Sequence, residues 1–537
     1  MKQPKGKRLY LFLLTGLLIC SFMVGGILTV YGCGYSYYPP VNTAQNDVLF
    51  KDNTLIHILA ILLFGILFWQ IDKRIFQKLT VGVQETVCRS VLIVTALLLF
   101  TAGTILVHTS PYYPVGDQLN TTAGAYYVMN GGYFMLMPSG YISMFQQQKG
   151  FMFLYEILFC IFGEFCYGVA QQFHVFFMVL ALVSGYGFMK NISFKPIHRI
   201  IYCLLMLFCA PFMIFLPYIY GDVPSICFGM LLLWALSSYG RKFQKRYLVV
   251  ACVAASLSLM CRMHTWILLI AVAIGMILMA IEKWNYKPLV AGLCIILAAA
   301  GTIKAVDIMY EYRSGYESGI GIPSILWIAM GLQETDGEAG VYNRYQQTVF
   351  EECDFNREKA AQVGKDYIVM RLGEFHDDIP MAVNFFKEKI LSQWMEPLFE
   401  SLAATSTFEE GKPVPDGINA LYYGSLHDVV WKCANYYQSL VYVGIILCLV
   451  GRARLLRKSG VSSVGWIPMI ALIGGFLFSL IWENQSRYCL PYYVFILLDV
   501  PEGIMQIGNV MDTVFHKDKR KGSRAGKKEE TGLQKVS

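Results

Sequence analysis

Charged residues are scarce in this sequence of 537 residues. Only 15% of the residues are charged, 56% are hydrophobic, and the mean hydropathy is +0.48. A soluble domain must face water with its outer surface, so this composition excludes an ordinary soluble protein. Many apolar stretches reach the roughly 20 residues that a helix needs to cross a bilayer. These stretches are continuous rather than alternating, which predicts an all-α polytopic membrane protein rather than a barrel.

Several motifs of nucleotide, metal and nucleophile chemistry are also missing. The sequence has no Gly-x-x-x-x-Gly-Lys-Ser/Thr loop for ATP, no Cys/His set with zinc spacing and no Gly-x-Ser-x-Gly turn. No inner loop is long enough to form a nucleotide-sugar domain. Most of the 15 cysteines lie inside apolar runs, which argues against a disulfide framework, although Cys33 and Cys353 are predicted outside and could pair. We therefore expect chemistry or transport without a nucleotide or organic cofactor.

The basic residues predict the topology. Most of the 44 lysines and arginines fall in alternate short loops and at the two ends of the chain. Because positive residues are retained in the cytoplasm, this asymmetry predicts twelve spans with both termini cytoplasmic. The net charge of +7 therefore reports membrane orientation and does not indicate binding to nucleic acid. The predicted spans are at about 9–31, 54–71, 89–108, 169–189, 199–216, 222–239, 247–261, 265–281, 287–306, 434–450, 464–482 and 488–507.

One further apolar run does not fit this topology. If residues 151–163 crossed the membrane, every later basic loop would lie outside. The run is short and contains Glu156, and Glu164 follows it, so a helix along the outer leaflet costs less than a full crossing.

The predicted spans divide the chain into five parts. Residues 1–88 form an N-terminal two-span segment, and 89–306 form a transmembrane core whose first outer loop is 109–168. Residues 307–432 return to a soluble composition and are predicted to form an outer helical domain. Residues 433–508 complete the bundle, and 509–537 are a basic tail predicted to be a disordered cytoplasmic segment.

Two carboxylates stand out because each follows a span that is predicted to run outward. Asp117 lies in Ser-Pro-Tyr-Tyr-Pro-Val-Gly-Asp-Gln and Asp222 in Pro-Tyr-Ile-Tyr-Gly-Asp-Val-Pro, where Pro and Gly fix turns. Two acids at one interface could bind a divalent ion such as Mg²⁺ or Mn²⁺, or one could accept a proton from a substrate hydroxyl. The alternative for Asp222 is that it caps the next helix.

This arrangement resembles the GT-C superfamily of membrane glycosyltransferases, which includes protein O-mannosyltransferases and the lipid A aminoarabinose transferase. The shared features are an acid early in a large first outer loop, an outer-leaflet helix and a second acid in the next outer loop. The resemblance covers about 89–306 in detail and implies a seven-helix core. It also implies that Asp117 is the catalytic base for inverting transfer from a sugar on polyprenyl phosphate, and that Asp222 holds a metal or orients the base.

The resemblance leaves the acceptor open among a glycan, a lipid and a protein. Here Asp117 is followed by Gln118, where protein O-mannosyltransferases have Asp-Glu, and this departure argues against a protein acceptor. Gln118 nevertheless remains a candidate for substrate binding.

Further candidates for substrate binding are cationic or aromatic. Arg487 and Tyr488 follow the penultimate span, and GT-C enzymes often carry Arg-Tyr at a similar place. A guanidinium suits a lipid phosphate, although Arg487 could instead form an ion pair with Glu483, four residues earlier. The turn holding Arg262 and His264 offers a second phosphate site or a snorkelling arginine.

Glu156 could support the site or simply face water from the interfacial helix. The sequence therefore predicts a transferase of the cytoplasmic membrane whose site faces outside and whose partners are a lipid-linked sugar and membrane lipids. Two other classes stay open. A transporter or flippase would place ionisable residues near the midplane, and a polysaccharide polymerase or ligase would rely on outer Arg and His.

Overall fold

The chain forms an all-α polytopic membrane protein, described by a computed structural model for residues 5–38, 48–193, 195–317, 321–335, 337–456 and 462–512. Within these ranges nine helices are long and apolar enough to cross a membrane, or ten if a bent C-terminal pair is one span. Most of the predicted basic tail, residues 513–537, lies outside the described residues.

The helices of the N-terminal half and of the core follow one another with short connections. They are α1 Lys5–Gly34, α2 Thr54–Arg74, α3 Val81–Thr109, α4 Asp117–Met129, α5 Tyr141–Met144, α6 Lys149–Phe162, α7 Tyr167–Ile192, α8 Ile197–Leu207, α9 Ala210–Ile214, α10 Asp222–Lys242, α11 Lys245–Cys261, α12 Thr265–Lys283 and α13 Lys287–Ser314. An antiparallel strand pair, β1 Tyr35–Tyr38 and β2 Val48–Lys51, follows α1.

The remaining helices fall into two groups. They are α14 Ile325–Gly331, α15 Tyr345–Glu352, α16 Arg357–Asp377, α17 Ile379–Trp394, α18 Ser401–Ala404, α19 Asp416–Tyr423, α20 Ser425–Leu456, α21 Ile467–Ile481, α22 Leu490–Ile496 and α23 Val500–Asp512. Helices α14 to α19 belong to the segment predicted to lie outside and are called the outer helices, and the others form the C-terminal part of the bundle. A two-residue hairpin, β3 Glu334–Thr335 and β4 Glu338–Ala339, lies between α14 and α15.

All twelve predicted spans fall on helices, but the count of twelve is not confirmed. The predicted span 199–216 is divided into α8 and α9, and Pro211, which has no N–H to donate, lies at the start of α9. Helix α11 has only 17 residues. The last span is a pair of helices bent by 57°, and Pro501 lies in the first turn of the second one.

The apolar run at 151–163 forms α6, which has 14 residues and is too short to cross a bilayer. One side of α6 is buried against α4, α11 and α13, and it includes Phe151 and Tyr155. Ile157 and Ile161 on the other side are exposed. This amphipathic arrangement agrees with a helix that lies along a membrane surface rather than crossing it.

The basic turns gather at one end of the bundle. The Lys283 amine donates a hydrogen bond to the Gly240 carbonyl and so joins the α12 and α10 ends. Tyr10 near the start of α1 meets Ser463 before α21, with 3.1 Å between their hydroxyl oxygens. The C-terminal ends of α3 and α21 and the N-terminal ends of α4, α10 and α12 consequently lie at the opposite end, where the two acids and the candidate arginines are found.

The outer helices close over that opposite end. The Ile322 amide donates to the Met144 carbonyl at 3.1 Å and joins the start of the outer segment to the first outer loop. Gly331 at the end of α14 approaches α21 so closely that a Cβ there would lie 2.6 Å from the Trp482 carbonyl oxygen. These two contacts place α14 above the ends of the membrane helices and leave a cavity beneath it.

Candidate functional site

A cavity of about 680 Å³ lies between the first outer loop, the ends of the membrane helices and the outer helices. Its residues come from five separate parts of the sequence, at 117–148, 220, 261–267, 321–357 and 478–488. They include Asp117, Tyr220, Arg262, Trp327, Glu483 and Arg487. The volume is in the range of sites that bind small molecules or cofactors.

Asp117 is the first residue of α4 and is exposed at the cavity. Gly116 before it has a φ of +58°, a left-handed conformation that glycine adopts without steric cost. The Tyr141 hydroxyl donates to Asp117 Oδ1 at 2.6 Å, and the Tyr220 hydroxyl donates to Oδ2 over 3.5 Å. Both phenols thus orient a carboxylate that also benefits from the positive end of the helix dipole.

Burial and the neighbouring Asp117 carboxylate raise the pKa of Tyr141 above its ordinary value. The phenol therefore stays protonated at neutral pH and remains a donor. Because it occupies Oδ1 with a short bond, Oδ2 is the oxygen of Asp117 better able to take a proton from another group.

Asp222 has a different environment from the one predicted for a metal ligand. It is only 1% exposed and is the first residue of α10, but neither of its carboxylate oxygens forms a hydrogen bond within the described ranges, so it does not cap the helix. Its Oδ1 instead lies 3.2 Å from Arg262 Nη2. Gly221 allows this approach, since a Cβ there would lie 2.0 Å from the Cys261 backbone oxygen.

The ion pair with Arg262 means that the residues do not fit a metal ion shared by Asp117 and Asp222. Arg262 neutralises Asp222 and itself lines the cavity, so one carboxylate faces the cavity and the other faces a guanidinium. Across the described ranges, no three His, Cys, Asp or Glu side chains are grouped as metal ligands.

Arg262 and Arg487 flank the ring of Tyr488. Each guanidinium carbon lies 5.5 Å from the Tyr488 ring centroid, within cation–π range, and Arg262 also lies 4.5 Å from the ring of Tyr220. Arg262 is therefore held by an ion pair and by aromatic rings and does not snorkel. The cavity wall therefore carries two positive charges that are held in place next to Tyr488.

Arg487 does not form the ion pair with Glu483 that its spacing allows. Its Nη1 donates to the Tyr218 hydroxyl, its Nε has no hydrogen-bond partner, and no ion pair joins it to a carboxylate in the described chain. The charge of Arg487 is thus available to an anion in the cavity.

Glu483 is a second acid of the cavity that sequence reasoning treated only as a partner of Arg487. It is buried and accepts a hydrogen bond from the Tyr488 hydroxyl at 3.2 Å. Burial raises the pKa of Glu483 to about 7, although the charge of Arg487 and the Tyr488 hydroxyl act in the opposite direction. Its charge therefore changes near neutral pH, which its position in the sequence alone does not reveal.

His264 lines the cavity but is not a cation there. Burial, and then the positive charge of Arg262, lower the pKa of His264 to about 3. The imidazole is neutral at physiological pH, so it offers a phosphate a hydrogen bond rather than a charge.

Two of the predicted binding residues lie outside the cavity lining. Gln118 is buried and accepts a hydrogen bond from the Tyr112 hydroxyl. Glu156 is also buried; it accepts from the Tyr310 hydroxyl at 2.7 Å and pairs with Arg313 at 2.6 Å, which ties α6 to α13. Both residues therefore support the walls of the site rather than contact its contents.

Comparison with known proteins does not identify the chain. No protein-family model matches its sequence, and no curated protein matches it either.

Proposed function

We propose that this protein is a membrane glycosyltransferase of the GT-C type. It would transfer a hexose from a polyprenyl-phosphate-linked donor to an acceptor hydroxyl, with inversion, in the synthesis of a cell-envelope glycan or glycolipid. The observation that carries the proposal is that Asp117 lines the same cavity as Arg262 and Arg487, so that a base and a binding site for phosphate face one space.

In this mechanism Asp117 acts on the acceptor. The acceptor hydroxyl gives its proton to Asp117 Oδ2 while its oxygen attacks the anomeric carbon of the donor sugar from the face opposite the phosphate. The bond between that carbon and the phosphate oxygen breaks, and the electron pair leaves with polyprenyl phosphate. Tyr141 holds the carboxylate through its 2.6 Å hydrogen bond, which keeps the base in place for proton transfer.

Arg262 and Arg487 would hold the phosphate of the donor. As the bond to the sugar breaks, negative charge grows on the phosphate oxygens, and fixed guanidinium groups stabilise it without having to reorganise. Tyr218 and Tyr488 keep Arg487 in position by a hydrogen bond and by ring contact. Both arginines thus serve binding and departure of the lipid phosphate.

The wall next to these arginines is suited to the start of a lipid chain. Met263, Trp266 and Ile267 from the α11–α12 turn and α12, with Phe478 from α21, line the cavity and present apolar surface. These side chains belong to helices that face the membrane. A polyprenyl tail leaving in that direction would stay in an apolar environment.

The site would face outside the cytoplasmic membrane, with both termini in the cytoplasm. This orientation is supported by the separation of the cavity from the basic turns, which occupy the opposite end of the bundle. The charges of the cavity lie at the ends of the helices and not at midspan, an arrangement less suited to a transporter or flippase.

A polymerase or ligase for lipid-linked oligosaccharide is the second candidate. It is favoured by the grouping of Arg262, His264 and Arg487 in one cavity. A polymerase or ligase does not need a carboxylate base. Loss of the Asp117 carboxylate should therefore abolish activity only if the protein is the proposed glycosyltransferase.

The test is Asp117→Asn in membranes supplied with polyprenyl phosphate that carries glucose, galactose or mannose. Release of polyprenyl phosphate measures transfer without knowledge of the acceptor. We expect a loss of about 10²- to 10⁴-fold, the usual contribution of a general base. Asp416→Asn is the matched control, since Asp416 is also an exposed acid in the first turn of a helix and lies outside the cavity. Full activity of Asp117→Asn would refute the base and favour the polymerase or ligase.

A further inference from the structure

The part of the cavity wall that the outer helices provide is rich in aromatic and amide side chains. Trp327 on α14, Tyr342 before α15 and Gln346 on α15 lie there, and Gln147 and Gln485 line the cavity from other segments. Arg357 is the charged side chain of the outer helices at this wall, and it donates to the Gly321 carbonyl at 3.3 Å. This wall differs from the arginine side, where the phosphate is proposed to bind.

Two side-chain amides that line the cavity have buried atoms that lack hydrogen bonds within the described part of the chain. Gln346 is fully buried, and neither atom of its amide has a hydrogen-bond partner of good geometry among the described residues, although the Tyr342 phenol lies close enough to interact. The side-chain oxygen of Gln485 is also buried, and no residue in the described ranges forms a hydrogen bond with it. Buried polar atoms are nearly always bonded in native proteins, because leaving them unpaired is costly. Such atoms in the wall of a cavity indicate a ligand with hydroxyl or amide groups.

Aromatic rings line the same cavity as these amides. The rings of Trp327 and Trp482 are parallel within 2°, with centroids 6.1 Å apart, and Phe478 stacks on Trp482 at 5.0 Å. A sugar ring has an apolar C–H face, which packs on an indole, and an edge of hydroxyls, each both donor and acceptor. A primary amide is likewise both donor and acceptor, so it matches a hydroxyl better than a charged group does.

From these observations we infer that Trp327, Gln346 and Gln485 form a subsite for an uncharged sugar ring. Its role as the acceptor subsite rests on the proposed function, because the subsite lies in the cavity of Asp117, where an acceptor hydroxyl would have to be placed. The acceptor is then a neutral glycan unit rather than a protein side chain or an acidic sugar. Binding of the sugar itself does not depend on transfer.

The test is equilibrium dialysis of the purified full-length protein in micelles with labelled lactose, maltose, cellobiose and diacetylchitobiose. Glucuronic acid and glucosamine serve as the anionic and cationic comparisons. We expect at least one neutral disaccharide to bind, and glucosamine to bind at least about tenfold more weakly, because its ammonium would lie among the charges of Arg262, Arg357 and Arg487. Glucuronic acid is measured in Arg487→Gln, so that the guanidinium of the proposed phosphate site does not bind its carboxylate, and should also bind at least about tenfold more weakly. Absence of binding by every neutral sugar, or tighter binding of a charged one, would overturn the inference.

Variants of the wall locate the binding. We expect Gln346→Leu and Trp327→Ala each to weaken binding about tenfold or more. Gln346→Asn and Trp327→Phe keep an amide and an aromatic ring at these positions without burying a charge. They should weaken binding less severely but measurably, which separates the loss from misfolding. Gln362→Leu on exposed α16 is the control and should bind as the parent does. Equal binding by parent and all four wall variants would also overturn the inference.

The subsite and the proposed transferase fail separately. Asp117→Asn should lose transfer but still bind the neutral sugar, since the wall stays intact and only the contact of one acceptor hydroxyl changes. Sugar binding with no transfer from any polyprenyl donor would remove the transferase but leave the subsite. If the protein transfers sugar from a polyprenyl donor but the wall variants bind the neutral sugar as tightly as the parent does, the subsite is refuted and the transferase stands.

Discussion

Replacement of Asp222 by Asn should destabilise the protein through Arg262. Asp222 is 1% exposed, and among the described residues its carboxylate has no partner other than Arg262, at 3.2 Å. The arginine side chain is 12% exposed, so little water is available to replace the lost carboxylate. The Asn side chain keeps the shape of Asp, removes the charge and replaces one acceptor oxygen by an NH₂ donor.

The magnitude follows from the burial of the pair. Breaking a buried ion pair by removing one partner costs about 3–5 kcal/mol, because the other charge is left uncompensated. Arg262 keeps its contacts with the rings of Tyr220 and Tyr488, so we expect about 3 kcal/mol for Asp222→Asn. Arg262→Gln leaves a carboxylate without any hydrogen bond and should cost about 4 kcal/mol. The double variant should cost about 4 kcal/mol, less than the two single changes together.

The assay is reversible unfolding of the full-length protein in micelles by urea, on the parent, both single variants and the double variant. Glu409→Gln is the control, since Glu409 pairs with Lys412 at an exposed site and should cost less than about 1 kcal/mol. If the two single changes add within about 0.5 kcal/mol in the double variant, the residues are not coupled and this reading of Asp222 is wrong.

Three further predictions concern the same site. Below pH 7 the Glu483 carboxyl is neutral, and above pH 7 it is ionised beside Arg487, where it competes with the donor phosphate. The KM for the lipid-linked donor should therefore rise about tenfold as the pH increases through 7. Glu483→Gln should abolish this rise, and a variant with the same pH profile as the parent would contradict the role of Glu483. Gly221→Ala places a methyl group against the Cys261 backbone oxygen and should lower the free energy of unfolding by about 1–3 kcal/mol in the urea assay, a parent-like midpoint being the opposing result. Tyr113→Cys, made in a background without exposed native cysteines, should react with an impermeant maleimide in intact cells, and reaction in inverted vesicles alone would reverse the topology.

Features that depend on neighbouring residues could be predicted from the sequence. The long helices follow from continuous apolar runs, since crossing a bilayer requires a length and a composition that any stretch of sequence displays. The short length of the run at 151–163 predicts that it does not cross the membrane, and α6 has only 14 residues. Asp117 and Arg487 were identifiable because each directly follows an apolar run, and the structure brings both to one cavity.

Features that depend on distant contacts were not predictable. The divided span at α8 and α9 and the bend before α23 interrupt apolar runs that look continuous in sequence. The residues around Asp222 in the sequence do not indicate that Arg262, 40 residues later, neutralises its charge. This ion pair is the reason that Asp222 does not fit a metal site. Glu483 looked like an ion-pair partner of Arg487, yet the turn between them directs it to Tyr488.

By itself, then, the sequence determined that this is a helical membrane protein with polar chemistry at the helix ends, because hydrophobicity and charge act locally and additively along the chain. Only the tertiary structure decided which of those polar groups share a cavity. Burial sets whether an acid is paired, neutral or free to accept a proton, and burial is a property of all the elements that pack around it.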